Sequence, residues 1–189
     1  IIHTEKMYDR LMNQFEWGGL NNPALYFDET NTRMVMNFRN NYSRLAESLY
    51  SKGEKEKAAA VLNKCMKEFP DEVVTLNYFS IPIIDLYYKL EKVEQGNQGL
   101  ATMIKNYLTK IKYLKEFDSG NGLKKEIGIT GQILGSLVRI VQIHKLEESS
   151  YNYTSENGIY YREKDGEKEN IDFNAYRINT FMDEYLSIQ

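Results

Sequence analysis

Cysteine occurs once in the 189 residues, tryptophan once, histidine twice and proline three times, and each scarcity closes a class of answer. A lone Cys65 forbids an internal disulfide and any multi-thiolate metal site. His3 and His144 are too few for a histidine metal cluster, and nothing calls for a cofactor. So little proline, beside a 27% charged fraction, argues against a disordered or low-complexity chain. No single sign of charge dominates either: 24 Lys+Arg against 27 Asp+Glu leave a net charge of −3. The basic stripe that displaces counterions from a phosphate backbone is missing, so nucleic acid is not an expected partner. Lys105, Lys110, Lys112 and Lys115 read as the solvated face of a helix. No stretch reaches the ~18 uninterrupted apolar residues of a membrane span; Ile127 to Ile143, the nearest, is broken by Gln132, Arg139 and Gln142 and reads as a buried helix. The first residue is Ile, which points to a fragment of a longer protein with its targeting segments upstream.

What is present is a 42% hydrophobic fraction, enough for one domain over 1–189, laid out with helical period. Ala58, Val61, Leu62, Cys65, Met66 and Phe69 form one stripe at steps of three and one. Leu45, Ala46 and Leu49 form another, on a segment that begins near Thr30 and stops at Lys52-Gly53, where glycine can adopt the left-handed conformation that ends a helix. Pro70 closes the second helix. The pair, over 39–72, matches the spacing of a tetratricopeptide unit. Tyr42 is the bulky first position, Leu45 and Ala46 the large and small pair, and Gly53 the turn. Ala58, Leu62, Cys65 and Pro70 follow at the small, large, small and proline positions. The physical content is packing: small side chains let two helices approach while Leu45, Leu49 and Leu62 fill the seam. A shift of 38 residues gives a degenerate copy over 77–117, with Ile83, Ile84, Tyr87, Gly96, Leu100, Met103 and Ile104 in place and Glu91 where the turn glycine stood. Pro82 predicts a late helix start near Ile81 or a kink, and Leu108, Ile111 and Leu114 carry the second helix past ordinary repeat length.

Residues 123–189 are expected to add C-terminal helices and a charged, tyrosine-rich loop. Ser119-Gly120-Asn121-Gly122 reads as a loop and Lys124 to Leu146 as an apolar helix. Its Gly128, Gly131 and Gly135 lack the preceding strand and the Gly-Lys-Ser/Thr of a phosphate loop, so close helix packing is the expected use. Lys164-Asp165-Gly166-Glu167 reads as a turn joining two short strands around Tyr160 and Ile171, a small β-hairpin near 159–172. A final helix, Asn174 to Ile188, presents Ile178, Phe181, Met182, Tyr185 and Leu186 on one face as a cap. At the other end Met7, Leu11 and Phe15 suggest a short opening helix stopped at Gly18-Gly19. The predicted fold class is all-α: a short solenoid of tetratricopeptide-like hairpins.

Catalysis needs convergent groups of matched acidity, and the sequence offers none. Cys65 falls on the buried stripe and reads as a packed thiol. His144 ends an apolar helix, where an imidazole can face terminal carbonyls. Asp28 and Glu29 precede a helix and read as its cap. The cluster Glu163, Asp165, Glu167 and Glu169 lacks the spacing of a calcium loop. A solenoid offers instead a concave wall built from the first helix of each pair. The positions leaving the seam there are Asn40, Ser43, Glu47 and Tyr50, with Asp85, Tyr88 and Lys89 in the second unit. This mixture of rigid aromatics and hydrogen-bonding groups suits a peptide or neighbouring domain; ordinary solvated surface is the alternative.

One resemblance adds to this. The stretches Met7-Tyr8-Asp9-Arg10-Leu11-Met12-Asn13, Phe15-Glu16-Trp17-Gly18, Tyr26-Phe27-Asp28-Glu29, Arg33-Met34, Arg44-Leu45-Ala46, Lys57-Ala58, Val61-Leu62-Asn63-Lys64-Cys65 and Tyr87-Tyr88-Lys89 lie in order between Met7 and Phe117. There the chain resembles the C-terminal soluble part of a bacterial family of large multi-pass membrane proteins related to protein O-mannosyltransferases. The resemblance implies a tetratricopeptide-like tail on the periplasmic side of the inner membrane, behind a glycosyltransferase-like membrane region that holds the catalytic residues. None of those residues carries over onto this chain. The expected role is therefore non-catalytic: a protein-interaction domain that positions acceptor or partner proteins. The alternative is a structural or self-association cap with no ligand of its own.

Overall fold

Asp28 starts the first long helix. Its carboxylate accepts the backbone N–H of Asn31 at 2.8 Å, satisfying one of the donors that a helix start leaves unpaired, and α2 then runs Glu29–Ser51. At its end Gly53 sits at φ +80° and the Glu54 N–H reaches the Leu49 carbonyl at 2.9 Å, a closure that a side chain with Cβ strains to make. α3, Lys55–Glu68, follows at once and stops before Pro70. The expected hairpin is thus present: Ala46, Ala58 and Cys65 are fully buried, with Leu45 and Leu62 beside them. Each buried leucine contributes about 1.5–3 kcal/mol.

The computed structural model describes residues 2–117, 122–148 and 151–188. They divide into two compact units, the first ending at Val93 and the second starting at Glu94, a boundary that falls inside the 77–117 range read as a second repeat. In the first unit α1, Thr4–Asp9, runs into a π-helical turn over Arg10–Gln14, and the chain leaves it through Gly18 and Gly19, both at positive φ. Leu11 is buried and its carbonyl accepts the Tyr42 hydroxyl at 2.9 Å. Trp17 lies edge-on to Phe38 and Phe69, ring centres 4.8 and 4.9 Å away. After α3, Asn77 caps a 3-10 turn over Tyr78–Ser80, and α4 runs Ile81–Lys89 with Pro82 in its first turn. That is the late start expected of Pro82, where a missing amide costs nothing. α4 ends as α2 does. The Lys92 N–H reaches the Tyr87 carbonyl at 2.9 Å around a left-handed Glu91 at φ +61°, 38 positions after Gly53. The Tyr87 hydroxyl donates to Asn63 of α3 at 3.0 Å.

The second unit holds most of α5, Val93–Phe117, and α6, Lys124–His144. Leu100, Met103 and Ile104 on α5 are fully buried, as are Leu137 and Val141 on α6. The loop read at 119–122 lies, but for Gly122, outside the described residues. Close helix packing does not account for the glycines of α6 among the described residues: a Cβ added at Gly128 or Gly131 meets none of their atoms within 4 Å, and at Gly135 only the Tyr185 hydroxyl at 3.8 Å.

The all-α expectation needs correction: the fold is mostly helical with a three-stranded antiparallel sheet. β1 (Asn152–Glu156), β2 (Ile159–Lys164) and β3 (Glu167–Ile171) lie in that order. The expected hairpin is its β2–β3 half, with Lys164 opposite Glu167 and Asp165-Gly166 both at positive φ, the geometry of a two-residue hairpin turn. Asn157-Gly158 repeats this turn between β1 and β2. Tyr160 packs on Phe173 and Tyr176, ring centres 5.4 and 4.8 Å away. The single final helix is two, α7 (Phe173–Asn179) and α8 (Phe181–Ile188). Asn179 and Thr180 turn their side chains back onto the carbonyls of Ala175 and Tyr176 at 2.9 and 3.0 Å, competing with the helical ladder. Ile178 and Phe181 are buried as expected, whereas Leu186 is exposed.

Candidate functional site

All seven residues read as the binding wall lie in the first unit, on α2 and α4, and the fold sorts them. Glu47 and Lys89 are exposed, and Asn40, Tyr50 and Asp85 half-buried. Ser43 and Tyr88 are buried, at 4% and 8% exposure, which leaves them almost no surface to offer. The Tyr88 hydroxyl is pushed well above its ordinary value by that burial.

Four of the remaining five come together. Lys89 and Asp85, one turn apart on α4, form an ion pair at 2.6 Å. The hydrogen bond to Asp85 holds the Lys89 ammonium above its ordinary value, and the charges of Asp85 and Glu47 act in the same direction; α2 and α4 pack on each other. Tyr50, half-buried, packs against the core cluster to which Ala46, Leu49 and Ala58 belong. The result is a half-exposed ring beside both signs of charge, on two helices anchored from behind. Such a surface can stack on an apolar side chain and bind backbone amides or carboxylates.

Several of the groups weighed for chemistry are otherwise engaged. Cys65 is buried and its thiol is pushed up to about 12 by desolvation, the opposite of an activated nucleophile. Burial likewise raises the Tyr42 and Tyr87 hydroxyls well above 10.0. Glu169 accepts from Arg162 at 2.8 Å, and Arg162 also reaches Glu148 at 3.0 Å. His144 is the last residue of α6. Among the described residues no three His, Cys, Asp or Glu side chains gather as a metal would require, and no helix is long and apolar enough to cross a membrane.

Sequence reasoning missed Arg39, which is completely buried. Its guanidinium donates to the carbonyls of Phe69 at 2.7 Å, Thr75 at 3.0 Å and Pro70 at 3.2 Å, and to that of Val74. It holds the segment that leaves α3 against α2 and so sets where α4 begins. None of the seven wall residues lines the cleft of about 420 Å³ between the opening helical turns and α2. No family model, no curated protein and no solved structure matches the chain.

Proposed function

We propose that this chain is a non-catalytic protein-interaction domain that docks an extended partner polypeptide across the outer faces of α2 and α4. The observation that carries the reading is half-exposed Tyr50 one turn from Glu47 on α2, with the Asp85–Lys89 pair on α4, the helix that packs on it, both fixed from behind by the α2–α3 seam. Rigid aromatics flanked by polar groups dominate the energy of such interfaces. The resemblance of Met7–Phe117 supplies the setting: a periplasmic tail of a glycosyltransferase-like membrane protein, presenting acceptor or partner proteins to it. The membrane-crossing helices belong, in this reading, to the upstream region.

The test uses a peptide selected on the wild-type protein from a displayed random library. Tyr50→Ala should weaken its binding about tenfold or more, as loss of a hot-spot ring does, with the melting temperature within a degree or two of wild type. Equal affinity in the variant overturns the assignment. If no peptide is selected and the parent protein loses stability without this domain, the cap reading replaces it.

A further inference from the structure

The cleft between the opening helical turns and α2 is not used by the reading above, and its lining is unusual for so acidic a chain. Lys6 and Arg10 enter it from one side, Asn41 and Arg44 from α2. Among the described residues no carboxylate lines it, and Lys6, Arg10 and Arg44 take part in no ion pair. Three neighbouring cations repel one another, and a bound anion relieves that repulsion. The rest of the wall is apolar but for His3, with Met7, Phe15 and Phe38; Phe15 is 43% exposed. Its volume of about 420 Å³ falls within the roughly 300–1,000 Å³ of small-molecule sites.

Arg10–Gln14 is π-helical, the Phe15 N–H reaching back five residues to Arg10 at 2.9 Å. A π turn is rarer than an α turn and is retained chiefly at functional sites. Here Leu11 is buried at the floor of the cleft while Arg10 and Phe15 stand exposed in its wall.

We propose that this cleft binds an organic anion. A carboxylate or phosphate head is held by Arg10, Arg44 and Lys6, guanidinium groups being matched to the two oxygens of such a head. An alkyl or aryl body lies on Met7, Phe15 and Phe38. The proposal does not depend on the α2–α4 docking face.

Trp17, the single tryptophan, has its ring centre 5.7 Å from Phe15 and 4.8 Å from Phe38, so its fluorescence reports occupancy. The whole chain is titrated with decanoate, decyl phosphate, decan-1-ol and inorganic phosphate, all below micelle-forming concentrations. Saturable binding of decanoate or decyl phosphate is expected, the tighter of the two identifying the head. Decanol and inorganic phosphate should bind at least about tenfold more weakly, the loss of one charged hydrogen bond or more. The exposed pair exchanged as Arg10→Glu with Arg44→Glu should lose about a hundredfold or more. The milder Arg44→Gln should lose about tenfold, and Lys67→Glu and Tyr50→Ala nothing. Decanol binding as tightly as decanoate, unchanged affinity in both arginine variants, or no saturable binding of either anion overturns the proposal.

Discussion

Arg39 packs its charged head against four backbone carbonyls of the segment 69–75. Arg39→Met keeps most of the stem and strands those acceptors. At about 1–3 kcal/mol for each buried group left unsatisfied, the N-terminal unit should lose at least about 3 kcal/mol, read as a lower urea midpoint; an unchanged midpoint would mean that water serves the carbonyls equally well. Nothing in the sequence marks Arg39 as buried, because its partners stand 30–36 positions away and a charged residue next to Asn40 looks like surface. Cys65, by contrast, was legible: its place in the stripe of Ala58, Leu62 and Phe69 foretold burial. Its thiol titrates near 9.0 when unfolded and near 12 when folded, so above pH 9 the folded state holds a proton that the unfolded state has lost. Stability should therefore fall by about 1.4 kcal/mol per pH unit above 9 from this group, and gain nothing from it below. In Cys65→Ala the slope between pH 9 and 10 should flatten; an identical slope would assign the titration elsewhere.

At the scale of elements, helices and their ends were legible wherever local chemistry decides them. The cap at Asp28, the stop at Gly53 and the late start imposed by Pro82 all followed from residues at the spot. What failed depended on neighbours. Gly128 and Gly131 suggested a close approach, yet open space surrounds them, so they give helix propensity away without a packing return. Gly128→Ala should stabilise the second unit by up to about 1 kcal/mol, a rise in melting temperature of roughly 2–4 °C for a chain of this size. A drop instead would show that another surface approaches there. Strand β1 was missed although Asn157-Gly158 carries the same turn chemistry as Asp165-Gly166. The preceding Asn152-Tyr153-Thr154-Ser155-Glu156 lacks the apolar alternation that identifies a half-buried strand, and its burial pattern is nearly all exposed. The break at Thr180 was hidden by an unbroken helical period on both sides of it.

Taken as a whole, the molecule is a helical hairpin extended by α4, followed by a second unit with α5, α6, the sheet and two short helices. Periodicity chose the buried face of α2 correctly but not how much of it is buried. α1, α3 and the Tyr78–Ser80 turn all pack on α2, and the seam reaches Ser43; α4, apolar on most sides, takes Tyr88 with it. The proposed docking face is therefore narrower than spacing implies and centres on Tyr50. Chemical-shift mapping of a library-selected peptide on the isotope-labelled chain tests this most directly. The account predicts perturbed amides around Glu47, Tyr50, Asp85 and Lys89, and their loss with Tyr50→Ala. Perturbations confined to the sheet or to α6, with residues 40–50 and 81–89 silent, would contradict it.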